Sequence, residues 1–134
     1  MATFHYETGI EIRFGDLDAY GHVNNAVIFS YLETARVKMF QERFGDILRS
    51  GLLFLVARAE CDYRKPIELQ DRLRIGVNLE NFGRSSFTQV YQLHDGGDKL
   101  FAEARTVMVC YDPQHKRPAS LPEEMQKAFG RSGQ

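Results

Sequence analysis

The densest run of polar, turn-forming residues in the chain reads Arg13-Phe14-Gly15-Asp16-Leu17-Asp18-Ala19-Tyr20-Gly21-His22-Val23-Asn24-Asn25. A helix-forming segment follows it directly. The first four N–H groups of a helix have no partner within the helix, and the macrodipole adds partial positive charge at the same end. A carboxylate lying just before such an end is favoured as the anion, and a free backbone N–H beside it polarises a carbonyl oxygen, as an oxyanion hole does. Asp18 and the Asn25 N–H are therefore the minimal equipment for attack on an acyl carbon. On local chemistry alone the same stretch also reads as a plain loop, because Asp, Gly and Asn are turn formers.

The elements that must hold these groups follow from periodicity. From Phe4 to Phe14 the even positions are Phe, Tyr, Thr, Ile, Ile and Phe, against His5, Glu7, Gly9, Glu11 and Arg13. A period of two places one set on each face of a strand. The pattern returns at Leu55, Ala57, Ala59, Cys61 and Tyr63, and again at Leu73, Ile75, Val77 and Leu79. Two further strands are predicted over about Ser85–Leu93 and Leu100–Tyr111, the latter apolar or small on both faces, as suits a central strand. Turn signals at Asn81-Phe82-Gly83 and Asp95-Gly96-Gly97-Asp98 suit hairpins between antiparallel neighbours. One segment breaks the alternation. From about Asn25 to Phe44 there is no Gly or Pro, and Val27, Ile28, Tyr31, Leu32, Ala35 and Met39 form a stripe at helical spacing. Asn24 is its expected N-cap and Gly45 its stop. A second face carries Phe29, Glu33, Arg36 and Phe40, which predicts a helix covered on more than one side. The tail, about residues 113–134, reads as loop with a short helix from Pro122 to Phe129 and frayed last residues. The expected order is strand, long helix, then four strands in an antiparallel meander, an α+β architecture. Its edge strands are candidates for pairing with a second subunit.

Length and composition agree with one domain over residues 1–134 and narrow the partners. At 43% hydrophobic and 26% charged, the chain has enough apolar residues for a core. Its net charge of −1 supplies no global field for nucleic acid. No apolar run approaches the ~20 residues of a membrane helix, and the start lacks the basic and apolar regions of a secretory signal. A cytoplasmic setting is the expectation, with Cys61 and Cys110 as free, buried, inert thiols. The four histidines show no ligand spacing, so no metal site is expected.

The run Arg13-Phe14-Gly15-Asp16-Leu17-Asp18-x-x-Gly21-His22-Val23-Asn24-Asn25, followed by Tyr31-Leu32-Glu33-x-Ala35-Arg36, resembles the 4-hydroxybenzoyl-CoA thioesterase family of hotdog-fold proteins. Asp62-Tyr63-x-x-Pro66, Asp71-Arg72-Leu73 and Pro118-x-x-Leu121-Pro122 fit the same family, so the likeness runs from about residue 6 to 125. It implies a hotdog fold, one long helix wrapped by a five-stranded antiparallel sheet. It implies hydrolysis of acyl-CoA thioesters, with Asp18 as catalytic carboxylate and the Asn25 N–H as carbonyl-polarising group. It also implies no cofactor beyond the coenzyme A of the substrate, and a homo-oligomer: a dimer at least, with the site between subunits, and commonly a tetramer. One departure stands out: the namesake enzymes carry aromatics and Pro-Asn-Tyr after the motif glycine, where this chain has His22-Val-Asn-Asn-Ala26. The backbone role survives that change, but 4-hydroxybenzoyl specificity does not carry over. Readings that stay open beside CoA-thioester hydrolysis are an acyl carrier protein as thioester donor, a thioester hydratase built on His22 and Glu33, and a non-catalytic acyl-thioester binder.

Further residues complete the candidate site. Gly21, His22 and Asn24 shape the loop around substrate; His22 reads as a hydrogen-bonded anchor and Asp16 as a turn residue bound to neighbouring amides. Glu33 is either an ion-pair partner of Arg36 or another subunit, or a polar wall of the acyl pocket. Gly83-Arg84-Ser85-Ser86 offers backbone N–H groups, two hydroxyls and a guanidinium for the phosphates and pantetheine of coenzyme A, in a region where related hotdog enzymes hold the nucleotide. Arg64-Lys65 and Lys116-Arg117 are weaker candidates, read as solvated pairs. Tyr63, Phe87 and Tyr91 read as core or pocket lining, with core favoured.

Overall fold

The computed structural model describes residues 3–130. Strand β1 spans Tyr6–Ile10, helix α1 Asn25–Arg43, helix α2 Gly45–Arg49 and strand β2 Leu53–Tyr63. Then come β3 (Leu73–Glu80), β4 (Ser86–His94), β5 (Leu100–Asp112), the two-residue β6 (Arg117–Pro118) and helix α3 (Glu123–Met125), which runs into a wider turn over Gln126–Gly130. All strand pairs are antiparallel, in the order β1-β3-β4-β5-β2, with β6 beside β5. The expected α+β hotdog arrangement is what forms: a curled antiparallel sheet around one long helix.

Alternation places Leu73, Ile75, Val77 and Leu79 of β3 in the core, beside Phe87, Tyr91 and Leu93 of β4. Helix α1 closes that core with Ile28, Tyr31, Leu32, Ala35 and Met39, the stripe expected from its sequence. Phe40, on the second face, packs on Phe54 of β2 with ring centroids 4.8 Å apart, so the helix is indeed covered from two sides there. Burying side chains of this size contributes roughly 1.5–3 kcal/mol each, which is what holds helix and sheet in register.

Several expectations are corrected. The meander covers only β3, β4 and β5; β2 pairs with β5, not β3, and lies at an edge. The first strand stops at Ile10 rather than Phe14, since the chain leaves the sheet and turns through a 3₁₀ segment at Phe14–Asp16 that leaves Phe14 79% exposed. A bulge between Val56 and Arg58 breaks the expected β2 parity. Phe54 and Val56 pair with Cys110 and Met108 on the core side, as do Ala59, Cys61 and Tyr63 with Thr106, Ala104 and Ala102, whereas Leu55 faces outward opposite Val109. Gly45 does not stop α1: the break falls at Phe44, and Gly45 opens α2. Cys110 is buried as expected, but Cys61 is only partly so. Burial pushes both thiols above their ordinary pKa. The tail expected to fray, Arg131–Gln134, lies outside the described residues.

Candidate active site

The loop ahead of α1 is folded on itself. Asp18 N–H donates to the His22 carbonyl at 2.7 Å, Gly21 N–H to the Asp18 carbonyl at 3.0 Å, and Leu17 bridges Val23. Gly21 makes this turn possible, because its φ of +81° is the left-handed region that side chains disfavour. Val23 N–H donates to the Ile67 carbonyl at 2.8 Å, and His22 bridges Glu68, so the segment after β2 braces the loop. His22 is thus a loop anchor through its backbone, as expected.

At the helix end, Asn24 is the N-cap: its Oδ1 accepts from Ala26 N–H at 2.8 Å. The Asn25 N–H, one residue earlier, donates to no group among the described residues. Asp18 spends one oxygen locally, Oδ1 accepting from Tyr20 N–H at 2.9 Å and His22 N–H at 3.3 Å. Its Oδ2 has no donor among the described residues. Asp18, His22, Val23, Asn25 and Ile28 line one cleft of about 250 Å³ with Tyr63, Arg64, Lys65, Pro66 and Ile67. A free carboxylate oxygen and a free peptide N–H thus share one cavity at the positive end of a 19-residue helix.

Four residues take roles that the sequence reading did not favour. Tyr63 is not core but 44% exposed, and its hydroxyl donates to the Asn25 carbonyl at 3.1 Å. Arg64 and Lys65, read as solvated, line the Asp18 cleft; their N–H groups share the Phe101 carbonyl, and the Arg64 guanidinium pairs with Glu103 at 3.2 Å. Tyr31, read as core, donates its hydroxyl to Asp16 Oδ2 at 2.6 Å. That bond, together with the Arg13 N–H and guanidinium, holds the buried Asp16 carboxyl below its usual range against the cost of burial. Burial and the carboxylate push the Tyr31 phenol well above its ordinary value, so it remains a donor. The spacing of Asp16 and Tyr31 carries no signal for this pairing, because the loop between them is irregular.

Glu33 lies apart, in a neighbouring cavity of about 280 Å³ with Phe29, Ser30, Arg36, Val56, Ala59 and Thr106. The expected Glu33–Arg36 ion pair does not form within the chain; Arg36 donates instead to the Tyr91 hydroxyl at 3.3 Å. Phe87 and Tyr91 are core residues, as favoured. Ser85 and Arg84 sit at the far end of the sheet, where Cys110 N–H meets the Ser85 carbonyl and the Arg84 guanidinium donates to Ser120 at 3.1 Å. Ser86 opens β4, whereas Asp18 lies by the end of β2, where Tyr63 and Leu93 both pair with Ala102. Seven strand steps separate those ends, about 23 Å at the usual rise, so one chain does not bring Arg84, Ser85 and Ser86 to Asp18. A roomier groove of about 720 Å³ on the outer face is bordered by Phe4, Glu7, Arg74 and His94, but there Glu7 already joins Arg74 at 3.0 Å and His94 at 2.8 Å. Among the described residues, no cluster of His, Cys, Asp and Glu is arranged to hold a metal ion, and no helix is long and apolar enough to cross a membrane.

Comparison with known proteins finds thioesterases among the relatives of this chain. A 1,4-dihydroxy-2-naphthoyl-CoA hydrolase of Synechococcus elongatus is 31% identical over 133 residues, covering 94% of each chain. The long-chain acyl-CoA thioesterase FadM of Escherichia coli is 30% identical over 125 residues, covering 90% of this chain and 94% of that one. A solved thioesterase from Thermus thermophilus, complexed with coenzyme A and Zn, is 40% identical with a TM-score of 0.82, over 96% of this chain and 95% of the other. Thioester hydrolysis, the enzyme class expected from the motif, is the class these relatives share; the narrower 4-hydroxybenzoyl-CoA branch is not what they establish. Residues 12–129 match the model of the thioesterase-like superfamily, and the chain belongs to that superfamily.

Proposed function

We propose that the protein hydrolyses acyl-CoA thioesters to free acid and coenzyme A, with Asp18 as the reacting carboxylate. The observation that carries this reading is the shared cleft, in which Asp18 Oδ2 and the Asn25 N–H are both unspent. The N–H and the helix dipole draw electron density from the thioester carbonyl. Asp18 Oδ2 attacks the carbon; a C–O bond forms, the C–S bond breaks, and the thiolate leaves and takes a proton from water. Water then opens the resulting anhydride, releasing the acid and restoring the carboxylate. Asp18 acting as base toward an attacking water gives the same products. Neither route calls on a cofactor, and the two free cysteines accord with the proposed cytoplasmic setting.

The same reading includes a homodimer formed along β2, the unit from which a tetramer is built. Leu53, Leu55 and Val56 are exposed on this long edge strand, which invites pairing with a second copy. A two-fold axis there sets the beginning of one β2 beside the end of the other. It thereby carries Arg84, Ser85 and Ser86 of one subunit toward the Asp18 cleft of its partner, where Gly21, His22 and Asn24 shape the entrance. The test is thiol release from a panel of short, long, branched and aryl acyl-CoAs and one acyl carrier protein thioester. The reading expects release that Asp18→Asn abolishes. Binding without release by the wild type would overturn it.

A further inference from the structure

The buried carboxylate of Asp16 and the hydroxyl of Tyr31 lie outside the reacting pair, yet together they attach the root of the catalytic loop to the helix. Asp16 is 5% exposed, and both its carboxylate oxygens accept hydrogen bonds. Its Oδ2 accepts from Arg13 N–H at 3.1 Å and from Tyr31 at 2.6 Å; its own carbonyl accepts the Asn24 N–H at 2.9 Å. The loop from Asp16 to Asn24 is therefore closed at its base, with Asp18 inside the closed ring. Two of these bonds reach the helix at different heights: Asn24 is its N-cap, and Tyr31 lies about 10 Å further along the axis at 1.5 Å per residue. A single bond at the cap leaves the loop free to pivot, whereas two bonds from one residue to one rigid helix fix its angle. The far limb is held separately by Val23 on Ile67.

Resting on the acyl-thioester reading above, we infer that Asp16 and Tyr31 are positioning residues, which set the angle at which Asp18 Oδ2 meets a carbonyl polarised by the Asn25 N–H. The physical reason for expecting such a device is the sensitivity of attack to placement. Reacting groups must be held to within about 0.5 Å, and a 1 Å error costs about 100-fold. The tie is buried on the side of α1 facing Gly9, Ile10 and Arg13, and it touches neither the Asp18 cleft nor Glu33. It can therefore act on turnover without touching substrate.

The experiment compares Tyr31→Phe, Asp16→Ala and Asp16→Asn with wild type, well below their melting temperatures. Two readouts are taken: steady-state thiol release and hydrogen exchange of the segment from residue 14 to 26. Tyr31→Phe is expected to lower kcat about tenfold or more with KM within about twofold, and to speed exchange in that segment while β3, β4 and β5 stay unchanged. Asp16→Ala should do the same or worse. Asp16→Asn should keep kcat within about threefold, because one amide oxygen still accepts from both Tyr31 and Arg13 N–H. Unchanged kcat in Tyr31→Phe, a loss confined to KM, or unchanged exchange in the loop would each overturn the inference. Should the wild type release no thiol from any acyl-CoA, the functional reading falls; the exchange arm still decides the tie, accelerated exchange supporting it and unchanged exchange overturning it.

Discussion

The Tyr63 hydroxyl donates to the Asn25 carbonyl across 3.1 Å, which ties the end of β2 to the first turn of α1 on the rim of the Asp18 cleft. The bond braces the cleft from the side opposite the loop. Tyr63→Phe removes only this donor, and a net contribution of about 1 kcal/mol predicts a fall in kcat of roughly fivefold. Steady-state thiol release measures it; wild-type kcat would show that the brace plays no part in turnover.

Asp18→Asn is expected to fold normally, because the amide oxygen still accepts from the Tyr20 and His22 N–H groups that hold the loop. Turnover should fall by about 10⁴-fold or more, the order seen when a reacting group is removed from a catalytic unit. Melting temperature and thiol release on the same preparation check both halves. Near wild-type turnover would remove Asp18 from the mechanism.

The Asn25 backbone can be tested without disturbing the helix. Proline is tolerated at the first helical position, and Asn24 is already extended at φ −60° and ψ 135°, as a following proline requires. Asn25→Pro therefore deletes an N–H that has no acceptor among the described residues. It should lower kcat about 100-fold, while Asn25→Ala, which keeps the N–H, stays within about twofold. Circular dichroism confirms the helix in both variants, and equal losses in the two would assign the effect to the side chain instead.

The Asp16 carboxyl is held below its ordinary pKa first by the Tyr31 hydroxyl. The unfolded chain thus takes up the proton before the folded one as pH falls. The stabilisation is complete above about pH 4 and is lost as pH drops through the lower folded value. Tyr31→Phe should cost about 2 kcal/mol at pH 7, with the gap to wild type narrowing toward pH 2. Urea unfolding at the two pH values measures it. A gap independent of pH would mean that the hydroxyl contributes by packing alone.

If Arg84 of one subunit serves Asp18 of the other, a weakened and an inactive partner should complement each other. Arg84→Ala is expected to raise KM for acyl-CoA severalfold, and Asp18→Asn to abolish turnover. Re-assembled from a mixture, the two chains form heterodimers with one intact site. At limiting substrate the mixture then reaches about a quarter of wild-type activity above the parents' own contribution. Activity equal to the mean of the two parents would show that Arg84 does not serve the partner's site.

What could be read without coordinates was the part governed by near neighbours in the chain. The stripe of Ile28, Tyr31, Leu32, Ala35 and Met39, the Asn24 cap, the turns at Asn81–Gly83 and Asp95–Asp98, and the pairing of a loop carboxylate with a helix end all depend on residues a few positions apart. Dihedral preference and periodicity decide them locally. The tertiary structure alone decided which strand lies beside β5, that a bulge at Ala57 turns Leu55 outward, and that Tyr31 joins the Arg13 amide in holding Asp16. It likewise set Arg84 and Asp18 at opposite ends of the sheet. Each of these depends on which distant surfaces meet, and that is settled by burying the most apolar area with every buried polar group paired, a condition on the whole chain that no short stretch of it contains.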